Sequence, residues 1–171
     1  MEKEKLYNLS FKEKAKLIKQ KKHLDIFIED KDEYVRTQVA YQKYGLEKLV
    51  FDESKYVRRA IAFYGKEIDM KILENLKNDK SSLVRKMLAR RGLFLDTYLN
   101  DKDELVRKEV VYRRYKLDIL INDKSDIVRE AVVNIGYGVD ILINDSNYKI
   151  RRRAKRWKER KEKIEINEKS Q

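Results

Sequence analysis

The chain has 171 residues, no cysteine, one histidine and one tryptophan. Without cysteine there is no disulfide, no thiolate metal site and no cysteine nucleophile, and the composition fits a reducing, cytoplasmic setting. The lone His23 cannot by itself build a histidine metal site or a nucleophile–histidine–carboxylate triad. No apolar run approaches the roughly 20 residues of a membrane span. The opening residues, MEKEKLYNLSFKEK, lack the apolar stretch of a signal peptide. There are five glycines, and the pair Gly136 and Gly138 lacks the rest of a phosphate-binding loop. These absences leave no catalytic residue, metal ligand or cofactor-binding residue to assign, and they point away from an enzyme.

Charge, by contrast, is abundant. Charged and hydrophobic residues each make up 42% of the chain, which implies a globular core under a charged surface. The net charge of +12 is unevenly placed. Residues 1–23 hold 8 basic and 3 acidic residues, residues 24–146 hold 23 of each, and residues 147–171 hold 11 and 4. The basic excess therefore lies wholly at the two ends.

The neutral middle is repetitive. An Asp is followed six residues later by an Arg, with Val or Ile just before the Arg. The pairs are Asp30 and Arg36, Asp52 and Arg58, Asp79 and Arg85, Asp101 and Arg107, Asp123 and Arg129, and Asp145 and Arg151. Successive arginines are 22, 27, 22, 22 and 22 residues apart. Two residues after each Asp stands a favoured helix N-cap: Asp32, Ser54, Ser81, Asp103, Ser125 or Asn147. Apolar residues follow at helical spacing, and the helix stops near Gly45, Gly65, Gly92, or Gly136 with Gly138, where left-handed backbone is needed. Lys116 stands where one unit would be expected to carry glycine.

A second, shorter element completes each unit: LDIFIED, LEKLVFD, LDTYLND, LDILIND, VDILIND. Isoleucine-rich runs suit strands. However, apolar residues recur at i, i+3 and i+4, as in Leu24, Phe27 and Ile28, and the second residue is acidic, which suits a helix N-terminus. One turn of α- or 3₁₀-helix is expected. In the 27-residue unit Ile68, Ile72, Leu73 and Leu76 predict a longer amphipathic helix.

These residues resemble a known class. The D-x-x-x-x-V-R signature, with a capped helix and a short apolar partner, is similar to HEAT-like repeats over residues 24–157. The 22-residue period is nearer to the leucine-rich repeat variant, which alternates an α-helix with a 3₁₀-helix. That family's proline is absent here, as are the cysteines of its cluster-bearing member. The expected fold is all-α: a right-handed α-solenoid of about six short HEAT-like or leucine-rich-repeat-variant-like units with helical end caps. Residues 1–23 are expected to form an N-terminal capping helix, with a capping box at Ser10 and Glu13, residues 24–157 the repeat array, and residues 158–171 a basic, frayed tail. His23 is expected as a helix C-cap.

The twelve recurring Asp and Arg residues read as a structural ladder, each Asp at a turn forming a bidentate pair with the Arg of the helix that follows. On the longer helices, the positions just after each arginine and one turn on face away from the core. They place Tyr41, Arg59, Phe63, Lys86, Arg90, Lys108, Tyr112, Arg113, Arg152, Arg153, Arg156 and Trp157 along one side, interrupted by Glu130 and Asn134. Aromatics among arginines suit a protein-binding face, and they also suit phosphate contact with base stacking. The plainer reading is a solvated helix face with snorkelling stems.

HEAT-like proteins are mostly interaction scaffolds, so the resemblance implies a non-enzymatic scaffold binding another protein through its stacked-helix face; no cofactor is expected, and the sequence leaves the oligomeric state open, with a monomer favoured. The alternative is DNA or RNA binding through the basic-aromatic stripe and the ends, above all Lys149–Lys163, with ten basic and two acidic residues. HEAT-like DNA glycosylases and lyase scaffolds make an enzyme the third class. Glu109 is its one carboxylate candidate, and it could equally pair with Arg113.

Overall fold

In the computed structural model, residues 2–169 are described, with side chains for residues 3–164. They are helical, with no strand among the described residues. The chain divides into two compact units, Met1–Phe94 and Leu95–Gln171.

The first unit holds α1 (Glu2–Tyr7), α2 (Phe11–Lys19), α3 (Leu24–Phe27), α4 (Glu33–Tyr41), α5 (Leu46–Leu49), α6 (Lys55–Tyr64), a 3₁₀ turn (Gly65–Glu67), α7 (Met70–Glu74) and α8 (Ser82–Arg90). The second holds α9 (Leu95–Tyr98), α10 (Glu104–Tyr112), α11 (Leu117–Leu120), α12 (Asp126–Asn134), α13 (Val139–Leu142) and α14 (Tyr148–Lys169). Long helices stack on the next long helix: α2 on α4, α4 on α6 and α6 on α8 in the first unit, and α10 on α12 and α12 on α14 in the second. The all-α repeat architecture stands, with short elements of one α-helical turn.

The core follows the repeat. The five long helices α4, α6, α8, α10 and α12 bury residues at i, i+4 and i+5: Val35, Val39 and Ala40; Val57, Ile61 and Ala62; Val84, Leu88 and Ala89; Val106, Val110 and Val111; Val128, Val132 and Val133. Each short element contributes its fourth residue, as with Phe27, Leu49, Tyr98, Leu120 and Leu142. In the last long helix Ile150 and Ala154 are buried, but Lys155, at the position of Ala40 and Val133, is exposed.

Five of the six predicted caps accept the expected bond. The side chains of Asp32, Ser54, Asp103 and Ser125 take the N–H two residues on, and Asn147 takes that of Lys149 at 2.9 Å. Ser81 makes no such bond. The capping box at Ser10 and Glu13 is formed.

Several local expectations are corrected. The chain leaves a long helix through two left-handed residues, two apart: Lys21 and His23, Lys43 and Gly45, Gly92 and Phe94, Arg114 and Lys116, Gly136 and Gly138. After Lys21, Gly92, Arg114 and Gly136 the next N–H reaches back, as that of Tyr137 does to the Val132 carbonyl at 3.2 Å, the bond that closes a Schellman turn. Thus Lys116 adopts the conformation glycine was expected to supply, with φ 45°. His23 is the N-cap of α3 rather than a C-cap, with φ 55° and its ring edge-on to Phe27. Gly65 differs, with φ 55° and ψ −126°, a region that only glycine enters freely. It diverts the chain into the 3₁₀ turn, Ile68 is extended, and Asp69 caps a fresh start. The five additional residues therefore go into a turn, and α7 is only five residues long. At the C-terminus residues 158–169 are helical where fraying is expected. The segment is dominated by Lys, Arg and Glu, good helix formers, and has no glycine or proline to stop it. Residues 1–23 hold two helices, α1 and α2, rather than one.

Candidate functional site

The ladder residues meet, but in a different register from the one expected. Four of the carboxylates, those of Asp52, Asp79, Asp123 and Asp145, are held by the arginine of the repeat before them. Arg36 Nε donates to Asp52 at 2.7 Å and its Nη2 to the other carboxylate oxygen at 3.0 Å. Arg58 does the same to Asp79 at 2.6 and 3.0 Å. In the second unit Arg107 grips Asp123 at 2.7 and 2.8 Å and Arg129 grips Asp145 at 2.7 and 3.1 Å. The Asp six residues upstream instead offers its backbone carbonyl to Nη1, at 2.6–2.8 Å for Arg36, Arg58, Arg85, Arg107, Arg129 and Arg151. One guanidinium thus ties its own turn to the next. The carboxylate also accepts the N–H two residues on, as Asp101 does from Asp103 at 2.9 Å.

These pairs are nearly dry: Arg107 is 4% exposed and Arg36 8%. Hydrogen bonding to Asp52, Asp79, Asp123 and Asp145 raises the pKa of each gripping arginine. Burial pushes the Asp123 carboxyl up, but the Arg107 fork and the Ser125 N–H together hold it below its usual value. The Arg129 fork does the same for Asp145.

Two parts of this framework escaped the sequence reading. Lys14, 22 residues before Arg36, is buried and pairs with Asp30 at 2.7 Å, so a lysine serves as the first rung. A second rail joins the residue after one cap to the next cap. The Ser54 hydroxyl donates to Glu33, Ser125 to Glu104 at 2.5 Å, and the Asn147 amide to Asp126 at 2.7 Å. The signal was present, an acid 21 residues before a polar cap, but it is too common to single out.

The predicted surface residues divide into packed and open ones. In the first unit Tyr41 and Phe63 are exposed and meet edge to face, with ring centroids 6.2 Å apart. Tyr64 closes the cluster at 6.4 Å from Tyr41 and 5.6 Å from Phe63. Its hydroxyl donates to the Tyr41 carbonyl at 2.5 Å. Arg91 lies over Phe63 at 4.3 Å and Lys43 over Tyr64 at 4.5 Å. Lys86 and Arg59 are half-buried, and Arg59 Nε is buried without a hydrogen-bond partner, so only Arg90 of that group stands open.

In the second unit Lys108 lies 5.8 Å from the exposed Tyr112 ring, Arg113 is exposed and Glu109 half-buried. Arg152, Arg153 and Arg156, with Lys149, line one small hollow on α14. Arg153 is partly spoken for, since Glu130 pairs with it at 3.0 Å and Asn134 accepts from it. Trp157 is half-buried against Gly136, where an added Cβ would stand 3.3 Å from the indole. It is therefore a packing residue first. No cluster of three or more His, Cys, Asp or Glu residues that could hold a metal ion occurs among the described residues. None of their helices is long and apolar enough to cross a membrane.

No family model matches the chain, and no curated protein matches it. Among solved structures it is similar to one described as a leucine-rich repeat variant with a novel repetitive protein structural motif. The identity is 23% and the TM-score 0.54, over 89% of this chain and 78% of that one. The likeness is one of fold: the chain is a helical repeat protein of that general architecture.

Proposed function

We propose that this protein is a non-enzymatic, HEAT-like repeat scaffold of the cytoplasm that binds another protein. The observation that supports it most is the Tyr41–Phe63–Tyr64 cluster with Arg91 and Lys43. Tyrosine and arginine are the residue types that dominate interface energetics. Here Tyr41 and Phe63 are exposed and Tyr64 half-buried, and the rings are already braced by edge contacts, a hydrogen bond and two overlying cations. Little side-chain freedom remains to be lost on binding. Affinity capture by the full chain, compared with the double variant Tyr41→Ala and Phe63→Ala, tests this reading. A specific protein partner should be lost with the double variant while its melting temperature stays close to that of the parent. Equal capture by both chains would contradict it.

One observation favours a nucleic-acid reading instead: Lys149, Arg152 and Arg156 share a small hollow. Such a site would show affinity falling with salt at a log–log slope of about −4 to −7 if several phosphates were neutralised. Arg152→Glu with Arg156→Glu is a sharper probe than truncating α14, which would also strip the buried Ile150 and Ala154 from the core.

A further inference from the structure

The rungs of the second unit are not all closed. Arg107 and Arg129 each anchor Nη1 on the carbonyl six residues upstream, then close Nε and Nη2 on an aspartate carboxylate. Arg151 makes the same anchor, with Nη1 donating to the Asp145 carbonyl at 2.6 Å and the Ser146 carbonyl at 2.8 Å. Among the described residues no carboxylate meets its Nε or Nη2. The fork is held in the setting that elsewhere binds aspartate, and it is left open.

Its surroundings depart from the inner layers in one direction. The residue after the cap is Glu104 or Asp126 in the inner layers, each accepting a bond from the following cap. In α14 it is Tyr148, exposed, with Arg151 and Arg152 at 5.9 and 5.8 Å from its ring. Val111 and Val133 are buried, whereas the matching Lys155 is exposed. Relative to an inner layer this end has lost an acid and gained a cation, while keeping the arginine. Tyr148, Arg151, Arg152 and Lys155 stand three or four residues apart on one side of the helix.

We infer that this end of the second unit is a carboxylate-binding site that takes an aspartate turn from an acidic protein segment. The chain itself shows what the fork binds: the arginines at matching positions donate two parallel bonds side-on to an aspartate, the geometry guanidinium is built for. The uncompensated Lys155 and Arg152 call for further acids beside that aspartate. The ligand does not come from the ladder of a second copy, because all six of its aspartates are engaged within their own chain. The site is built from residues of α14 and shares none with the aromatic cluster of the first unit, so it does not depend on the reading of that cluster.

The test is a fluorescence anisotropy titration of the full chain against a labelled, glutamate-rich peptide whose helix opens with an Asp-Glu-Ser turn. A second peptide differs only in having Asn for that Asp. The chain should bind the first peptide, and Arg151→Ala should weaken binding about tenfold or more, as for loss of a bidentate charged pair. Arg151→Lys should recover only part, because the fork is gone. The Asn peptide should bind the parent chain about as weakly as the Asp peptide binds Arg151→Ala, and no more weakly still to that variant. Arg151 closes on no buried carboxylate, so the variant should keep its helical circular dichroism. Phe63→Ala should bind the Asp peptide as the parent does, which separates this site from the aromatic cluster. No binding by the parent at low salt would overturn the inference, as would equal affinity for the two peptides. So would a single-stranded oligonucleotide that binds more tightly than the peptide and is lost with the same Arg151 substitution.

Discussion

At the scale of single residues the molecule depends on paired charges that water scarcely reaches. Removing Arg107 would leave the Asp123 carboxylate, only 7% exposed, without its partner. Arg107→Ala is therefore expected to lower stability by about 3–5 kcal/mol, the usual loss when one half of a buried pair is deleted. Arg151→Ala strands no carboxylate and should cost about 1 kcal/mol or less. Urea denaturation of the two variants gives the comparison, and equal losses would mean that the forks do not couple the layers. The same pairs set the acid limit. Asp123 and Asp145 have folded pKa values below those of the unfolded chain. Their contribution is fully present above the unfolded value of about 3.9 and is lost as pH falls through the lower folded values. Thermal melts should be flat in this contribution from neutral pH to about pH 5 and then decline, and Asp145→Asn should flatten that decline.

At the scale of the element, caps and turns carry the repeat. The Ser54 hydroxyl accepts the Tyr56 N–H at 3.2 Å and donates to Glu33, while Ser81 bonds no N–H in its own first turn. Ser54→Ala should cost about 1–2 kcal/mol and Ser81→Ala much less, read from chemical denaturation midpoints. Arg114 holds φ at 54°, a conformation that costs a side-chain-bearing residue about 1 kcal/mol. Arg114→Gly should therefore raise stability by up to about that amount, a gain visible as a higher melting temperature. These elements also show where the sequence was legible. Period, caps and buried valines could be read because each depends on a residue and its near neighbours. Lys21, Lys43 and Arg114 carry no sign of left-handed backbone, since that conformation is imposed by position in the turn. Asp52, Asp79, Asp123 and Asp145 meet other arginines than the expected ones for a related reason. Sequence placed Asp and Arg six apart in one unit, but which carboxylate meets which fork is decided by how the units stack. The aromatic residues of the candidate face were legible one by one. Their gathering with Arg91 depends on the neighbouring helix and was not.

At the scale of the whole molecule the charge distribution and the exposed rings suggest different partners. The basic excess sits at the two ends of the sequence, while the best-braced exposed aromatics lie in the charge-neutral stretch between them. A partner held mainly by counter-ion release would seek the ends and leave as salt rises. A protein held by desolvated rings would stay at physiological ionic strength. The most direct measurement replaces Phe63 with a photoreactive benzoylphenylalanine and irradiates the full chain in cell extract at physiological salt, with Ile119 replaced in the same way as a control. The account predicts a discrete protein adduct from position 63 that is absent from position 119 and is abolished by Tyr41→Ala. Adducts that are the same from both positions, or that consist of nucleic acid alone, would contradict it.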